Sequence, residues 1–97
     1  MDNLGEVRIT KHGPAATIHY AEVGGSCDFA AELGTGKTLL YIYAPADDGE
    51  WARRLPWAAG RRAAILEHVA RQVVRTEARG SKFVVHTTGV DILTPRW

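Results

Sequence analysis

Between Glu6 and Ala44 the chain consists of four short strand-like stretches separated by glycine-containing turns, and this spacing restricts it to an antiparallel meander. Glu6-Val7-Arg8-Ile9-Thr10-Lys11 alternates polar and apolar, the period of a half-buried strand, and His12-Gly13-Pro14 ends it. Ala15 to Val23 follows, with Ile18 and Tyr20 on one face and Thr17, His19 and Ala21 on the other. Gly24-Gly25-Ser26 turns the chain into Cys27–Leu33, a strand weakened by its alanines. After Gly34-Thr35-Gly36 the stretch Lys37–Ala44 sets Leu40, Ile42 and Ala44 on one face and Leu39, Tyr41 and Tyr43 on the other. Both faces are apolar, which places this strand centrally in the sheet.

The pattern then changes period. Pro45-Ala46-Asp47-Asp48-Gly49-Glu50 reads as a polar loop leading to Trp51, Arg53, Arg54 and Leu55-Pro56-Trp57. From about Ala58 to Ala78 apolar side chains recur at helical spacing, with Leu66, Val69 and Val73 at the centre of the stripe and Ile65, Ala70 and Thr76 beside it. Arg61, His68, Arg71, Arg75 and Arg79 take the opposite face, Glu67 precedes Arg71 by four residues, and Gly80 is placed to stop the helix. Lys82–Thr87 reads as a strand, Thr88-Gly89 as a turn, Val90–Thr94 as a last short strand and Pro95-Arg96-Trp97 as a loose tail.

The expected fold is therefore a single α+β domain over residues 1–97, with a four-strand antiparallel meander, one long amphipathic helix and one or two C-terminal strands. One helix covers one face of a sheet. The other face must be polar or must bury itself on another molecule, so Leu39, Tyr41 and Tyr43 point to a homodimer or ligand surface.

Several function classes lose support. Cys27 is the single cysteine, so it forms no internal disulfide and no thiolate metal site, which fits a reducing cytoplasm. The first residues lack the basic and apolar regions of a signal peptide, and no apolar run is long enough to span a bilayer. Ala31-Glu32-Leu33-Gly34-Thr35-Gly36-Lys37-Thr38 satisfies a relaxed phosphate-loop pattern, but a β sequence follows it where the mechanism needs a helix, so a glycine hairpin is expected. His12, His19, His68 and His86 show no metal-ligand spacing, and Asp47, Asp48 and Glu50 lack that of a calcium loop, so no metal or cofactor is expected. A Cys27, His and Asp28 nucleophile can be drawn, but no nucleophile elbow or helix N-terminus supports it, and the chain reads as non-enzymatic.

The net charge of +1 hides an asymmetry, because residues 1–50 carry three basic and eight acidic side chains and residues 51–97 carry nine basic and three acidic ones. The halves attract one another within the fold, or give its surface an acidic side and a basic side. Arginine interleaved with tryptophan is a composition that protein hot spots and nucleic-acid sites both use. Trp51, Arg53, Arg54, Trp57, Arg61, Arg71, Arg75 and Arg79 are accordingly the candidate partner-binding residues, with Arg62 alongside. Equally, the two tryptophans could cap the core while the arginines are solvated.

The segment Trp51…Leu55-Pro56-Trp57…Arg61-Arg62-Ala63-Ala64-Ile65-Leu66…Val69-Ala70…Gly80…Val84-Val85 resembles a pattern of small bacterial proteins of unassigned function, some classed as predicted immunity proteins of polymorphic toxin systems. It covers about half the chain, and a single Pro56 replaces the longer proline-rich approach of that pattern. The resemblance implies a strand meander, a Trp/Pro loop, an arginine-bearing helix, no catalytic residues, and a cytosolic protein that binds another protein. The reading is thus a non-enzymatic binding protein engaging a protein partner or a second copy, with no membrane. The alternative is a weak nucleic-acid-binding module using the arginine face.

Overall fold

The structure is a computed structural model and describes residues 4–94. The expected tail at Pro95-Arg96-Trp97 lies outside the described residues. Six strands form one antiparallel sheet: β1 (Glu6–His12), β2 (Ala15–Glu22), β3 (Gly25–Leu33), β4 (Thr38–Tyr43), β5 (Lys82–His86) and β6 (Gly89–Leu93). Their order in space is β1-β2-β3-β4-β6-β5, so the hairpin after the helices docks on the meander through its second strand. Both C-terminal strands are present, and the meander and its register follow from hairpins of short loops. The phosphate-loop string is such a hairpin: Gly34 donates to the Leu39 carbonyl and Thr38 to that of Thr35, and a strand follows.

Two helices replace the one long helix expected. Asp47 accepts from the Glu50 amide and so N-caps α1 (Asp48–Arg54), a segment whose acidic run reads as a loop in sequence. A 3-10 turn over Pro56–Ala58 follows. The long helix, α2, spans Arg62–Glu77 and starts four residues after Ala58. Gly60 sits at φ +79° between them, a backbone state that interrupts any continuous helix there.

The alternating sequence pattern decides the core. Ile18, Tyr20, Phe29, Ala31, Leu40, Ile42, Val90 and Ile92 face the helices from the sheet, and Ile65, Leu66, Val69, Ala70 and Val73 of α2 close over them. Thr76 does not flank this stripe but is exposed, its hydroxyl donating to the Gln72 carbonyl, and Val74 packs at the margin instead. His68 also departs from its expected place on the polar face. Its Nε2 donates to the Gly5 carbonyl at 2.7 Å, and its ring meets Tyr20 edge-on.

Arg62 is buried, 9% exposed, and forms no ion pair among the described residues. Its guanidinium donates to the carbonyls of Pro45, His86 and Thr87 at 2.8, 3.0 and 2.8 Å. One side chain therefore joins the start of α2 to the exit of β4 and to the β5–β6 turn. No helix among the described residues is long and apolar enough to cross a membrane.

Candidate functional site

The helices leave one sheet face uncovered, and side chains cluster there in two groups. The first stands on β3, β4 and β6. Glu32, Tyr41 and Asp91 come into one row because Glu32 pairs with Tyr41 and Tyr41 with Asp91. Tyr41 and Tyr43 lie with ring centroids 4.7 Å apart, and the His86 ring is 5.5 Å from Tyr41. Hydrogen bonds hold each ring: Tyr43 donates to Glu32, Tyr41 bonds Thr88, and His86 faces Asp91 at 3.3 Å. The Glu32 carboxylate raises the pKa of the Tyr43 phenol by accepting its proton in a hydrogen bond. Tyr43 remains 43% exposed.

Two depressions border this pair. One, of about 310 Å³, is lined by Glu32, Thr35, Thr38, Tyr41, Tyr43 and Asp91. The other, about 420 Å³, opens where β4 leaves β3 beyond the Ala31–Ile42 pair, and Cys27, Phe29, Tyr43, Leu55 and Arg54 line it. Leu39, expected beside the tyrosines, sits in a bulge between Thr38 and Leu40 and lines a cleft on the helix side.

The second group crosses β1, β2 and β3. His19 Nδ1 lies 2.8 Å from Asp28 Oδ1, and its Nε2 lies 2.9 Å from Thr10 Oγ1. The order carboxylate, imidazole, hydroxyl is that of a nucleophile triad. Its surroundings differ from such a site: Thr10 is mid-strand, with no sharp turn to present its hydroxyl as a nucleophile. Sequence reasoning missed both His–Asp pairs. The signal for the first lay in the turn, because a two-residue loop over Val23-Gly24 sets Glu22 against Gly25 and so His19 against Asp28.

The eight candidate partner-binding residues do not form one site. Trp51 is 0% exposed, stacks on Phe29 at 6.0 Å and donates its indole N–H to the Ala58 carbonyl, so it presents no surface to a partner. Trp57 is half-buried and stacks on Tyr20 with an interplanar angle of 7°. It packs over Gly25 so closely that a Cβ there would lie 2.4 Å from its ring. Arg61 makes two bonds to Glu22, at 2.9 and 2.7 Å, and the Glu22 side chain is only 6% exposed. Tyr20 donates to the same carboxylate, and burial together with that bond pushes its phenol up to about 12. Arg61 in turn holds the Glu22 carboxyl below its ordinary range. This network is internal and locks β2 to the approach of α2.

Arg53 and Arg54 both reach Glu50, and Arg71 pairs with Glu67 while lying over the Phe83 ring. Arg75 and Arg79 are exposed and pair with no acid among the described residues. Arg54 alone of the eight borders the tyrosine patch. Cys27 is half-buried, and burial beside Asp28 pushes its thiol up to about 11, the reverse of an activated nucleophile. No group of three His, Cys, Asp or Glu suited to a metal occurs among the described residues. No family model, no curated protein and no solved structure matches this chain.

Proposed function

We infer that the chain is a non-enzymatic binding protein whose contact surface is the uncovered sheet face around Tyr41 and Tyr43, and that its partner is a protein presenting basic side chains. One observation carries the reading: the exposed Tyr43 and the half-buried Tyr41 adjoin and are fixed by hydrogen bonds between two depressions, with Glu32 and Asp91 at their side. Tyrosine gives large contact area at low entropic cost, and rings already held lose little freedom on binding. The acidic pair adds charge complementarity to a basic partner. The resemblance to immunity proteins supports the same class, in which the partner is a toxin-like protein. The high thiol pKa of Cys27 and the mid-strand position of Thr10 favour binding over catalysis.

The test compares three forms of the tagged protein in its native lysate, each with and without nuclease: unmodified, Tyr41→Ser with Tyr43→Ser, and Glu32→Lys with Asp91→Lys. The reading expects one stoichiometric protein with the unmodified form and its loss with both variants. Retention by both variants overturns this face as the site. A nuclease-sensitive mixture instead transfers the function to the arginines. Sedimentation of the purified protein alone distinguishes a second copy, because self-association through this face would disappear with the tyrosines.

A further inference from the structure

A separate cleft of about 310 Å³ lies on the helix side, between the end of α2 and the tips of the β1–β2 and β3–β4 hairpins. Its floor is apolar, formed by Ile9, Leu33, Leu39, Leu40, Val73 and Ile92. Leu33 and Leu39 are 64% and 38% exposed there, which gives an apolar ligand contact surface without a rearrangement. The volume is at the lower end of small-molecule sites, enough for a ligand of several carbons.

Charge at the mouth selects the ligand. Glu77 and Lys11 both line the cleft and pair at 2.5 Å, but unequally: the Glu77 side chain is 25% exposed and that of Lys11 66%. The carboxylate is the fixed partner and the ammonium the mobile one, on a long stem that swings into water at little cost. Glu77 is also the last residue of α2, where the negative end of the helix dipole disfavours an acid and favours a cation. We propose that this cleft binds a small aliphatic monoammonium compound, with its alkyl chain on the leucine floor and its ammonium on Glu77 in place of Lys11.

The proposal is independent of the tyrosine face and is read by amide chemical-shift changes on titration with hexylammonium, with hexanoate as the opposite-charge arm. Hexylammonium should give saturable shifts at Leu33, Leu39, Val73 and Ala78 with a dissociation constant on the order of 1 mM, as expected for so few atoms. Hexanoate should leave these amides in place. Glu77→Gln should weaken binding about tenfold. Lys11→Met should strengthen it about threefold by removing the competing ammonium, a gain that loss of a merely structural ion pair would not produce. Equal shifts with hexanoate, shifts that never saturate, or unchanged affinity in Glu77→Gln would each overturn the assignment. Both substitutions are at the rim, and the undisturbed remainder of the amide spectrum confirms the fold in each.

Discussion

Trp51 and Trp57 stand six residues apart and meet different surroundings, so their removal separates two kinds of cost. The Trp51 ring has no exposed area, stacks on Phe29 and satisfies the Ala58 carbonyl. Trp51→Ala leaves a ring-sized void and takes one of two donors from the Ala58 carbonyl, which keeps the Arg61 amide, and should lower unfolding free energy by about 3–5 kcal/mol in urea titrations. Trp57 keeps one side in solvent, and Trp57→Ala should cost about 1–2 kcal/mol, mainly the Tyr20 stack and its contact area. Glu22 gives a pH-resolved expectation. Its carboxyl is held low by Arg61, so the pair stabilises the fold above the ordinary carboxylate value, and that contribution is lost as pH falls through the lower folded value. Glu22→Gln should therefore be less stable than the unmodified protein at neutral pH, and the gap between their urea midpoints should close in acid, below about pH 4. Tyr20 acts at the other end of the scale: with its phenol raised to about 12, stability should decline as pH rises from about 10 through 12, seen as tyrosinate absorbance appearing with unfolding.

At the scale of elements, an apolar core holds the helices to the sheet, and the polar contacts that fix their placement are specific. Arg62 has the geometry for three carbonyls from two loops, and no other residue type offers a planar fork of donors. Arg62→Met should cost about 2–4 kcal/mol by denaturation, with Arg62→Lys recovering only part, because an ammonium does not span all three acceptors. Arg62 also shows where the sequence stops being informative. In sequence it is one of several arginines beside tryptophan, and only the meeting of β4, α2 and the β5–β6 turn separates it from its surface neighbours. The strands were legible because a period of two and glycine turns are local signals, and the α2 stripe from Ile65 to Val73 was legible for the same reason. The helix start was not, since Asp47 caps α1 with an acidic run that also suits a loop, and Gly60 at φ +79° breaks the chain inside the stretch read as helix from Ala58. His68 was misplaced because its partner, the Gly5 carbonyl, is 63 residues away. The tyrosine face was legible from alternation, whereas the His–Asp pairs beside it depend on cross-strand register.

Across the whole molecule, the charge asymmetry of the sequence is largely consumed by pairing. Glu22 from the acidic half holds Arg61 from the basic half, Glu50 holds Arg53 and Arg54 across the boundary, and Glu67 holds Arg71. Arg62 is spent on carbonyls inside the fold. Among the described residues, what remains for a polyanion on α2 is Arg75 and Arg79, with Arg71 only if it leaves Glu67. Binding to single-stranded nucleic acid scales with the number of phosphates neutralised, at a log–log salt slope of about −0.7 per contact, so two or three arginines give a slope no steeper than about −2. Anisotropy of a labelled oligonucleotide across a salt series should show this shallow slope and weak binding, and replacing Arg71, Arg75 and Arg79 with glutamine should remove it. A much steeper slope would mean that the acid pairs open to release their arginines, and the helix face, not the tyrosine face, would then be the functional surface. Because exposed pairs of this kind are each worth under about 1 kcal/mol, such opening costs little, and the salt series therefore tests the pairing itself as much as the partner.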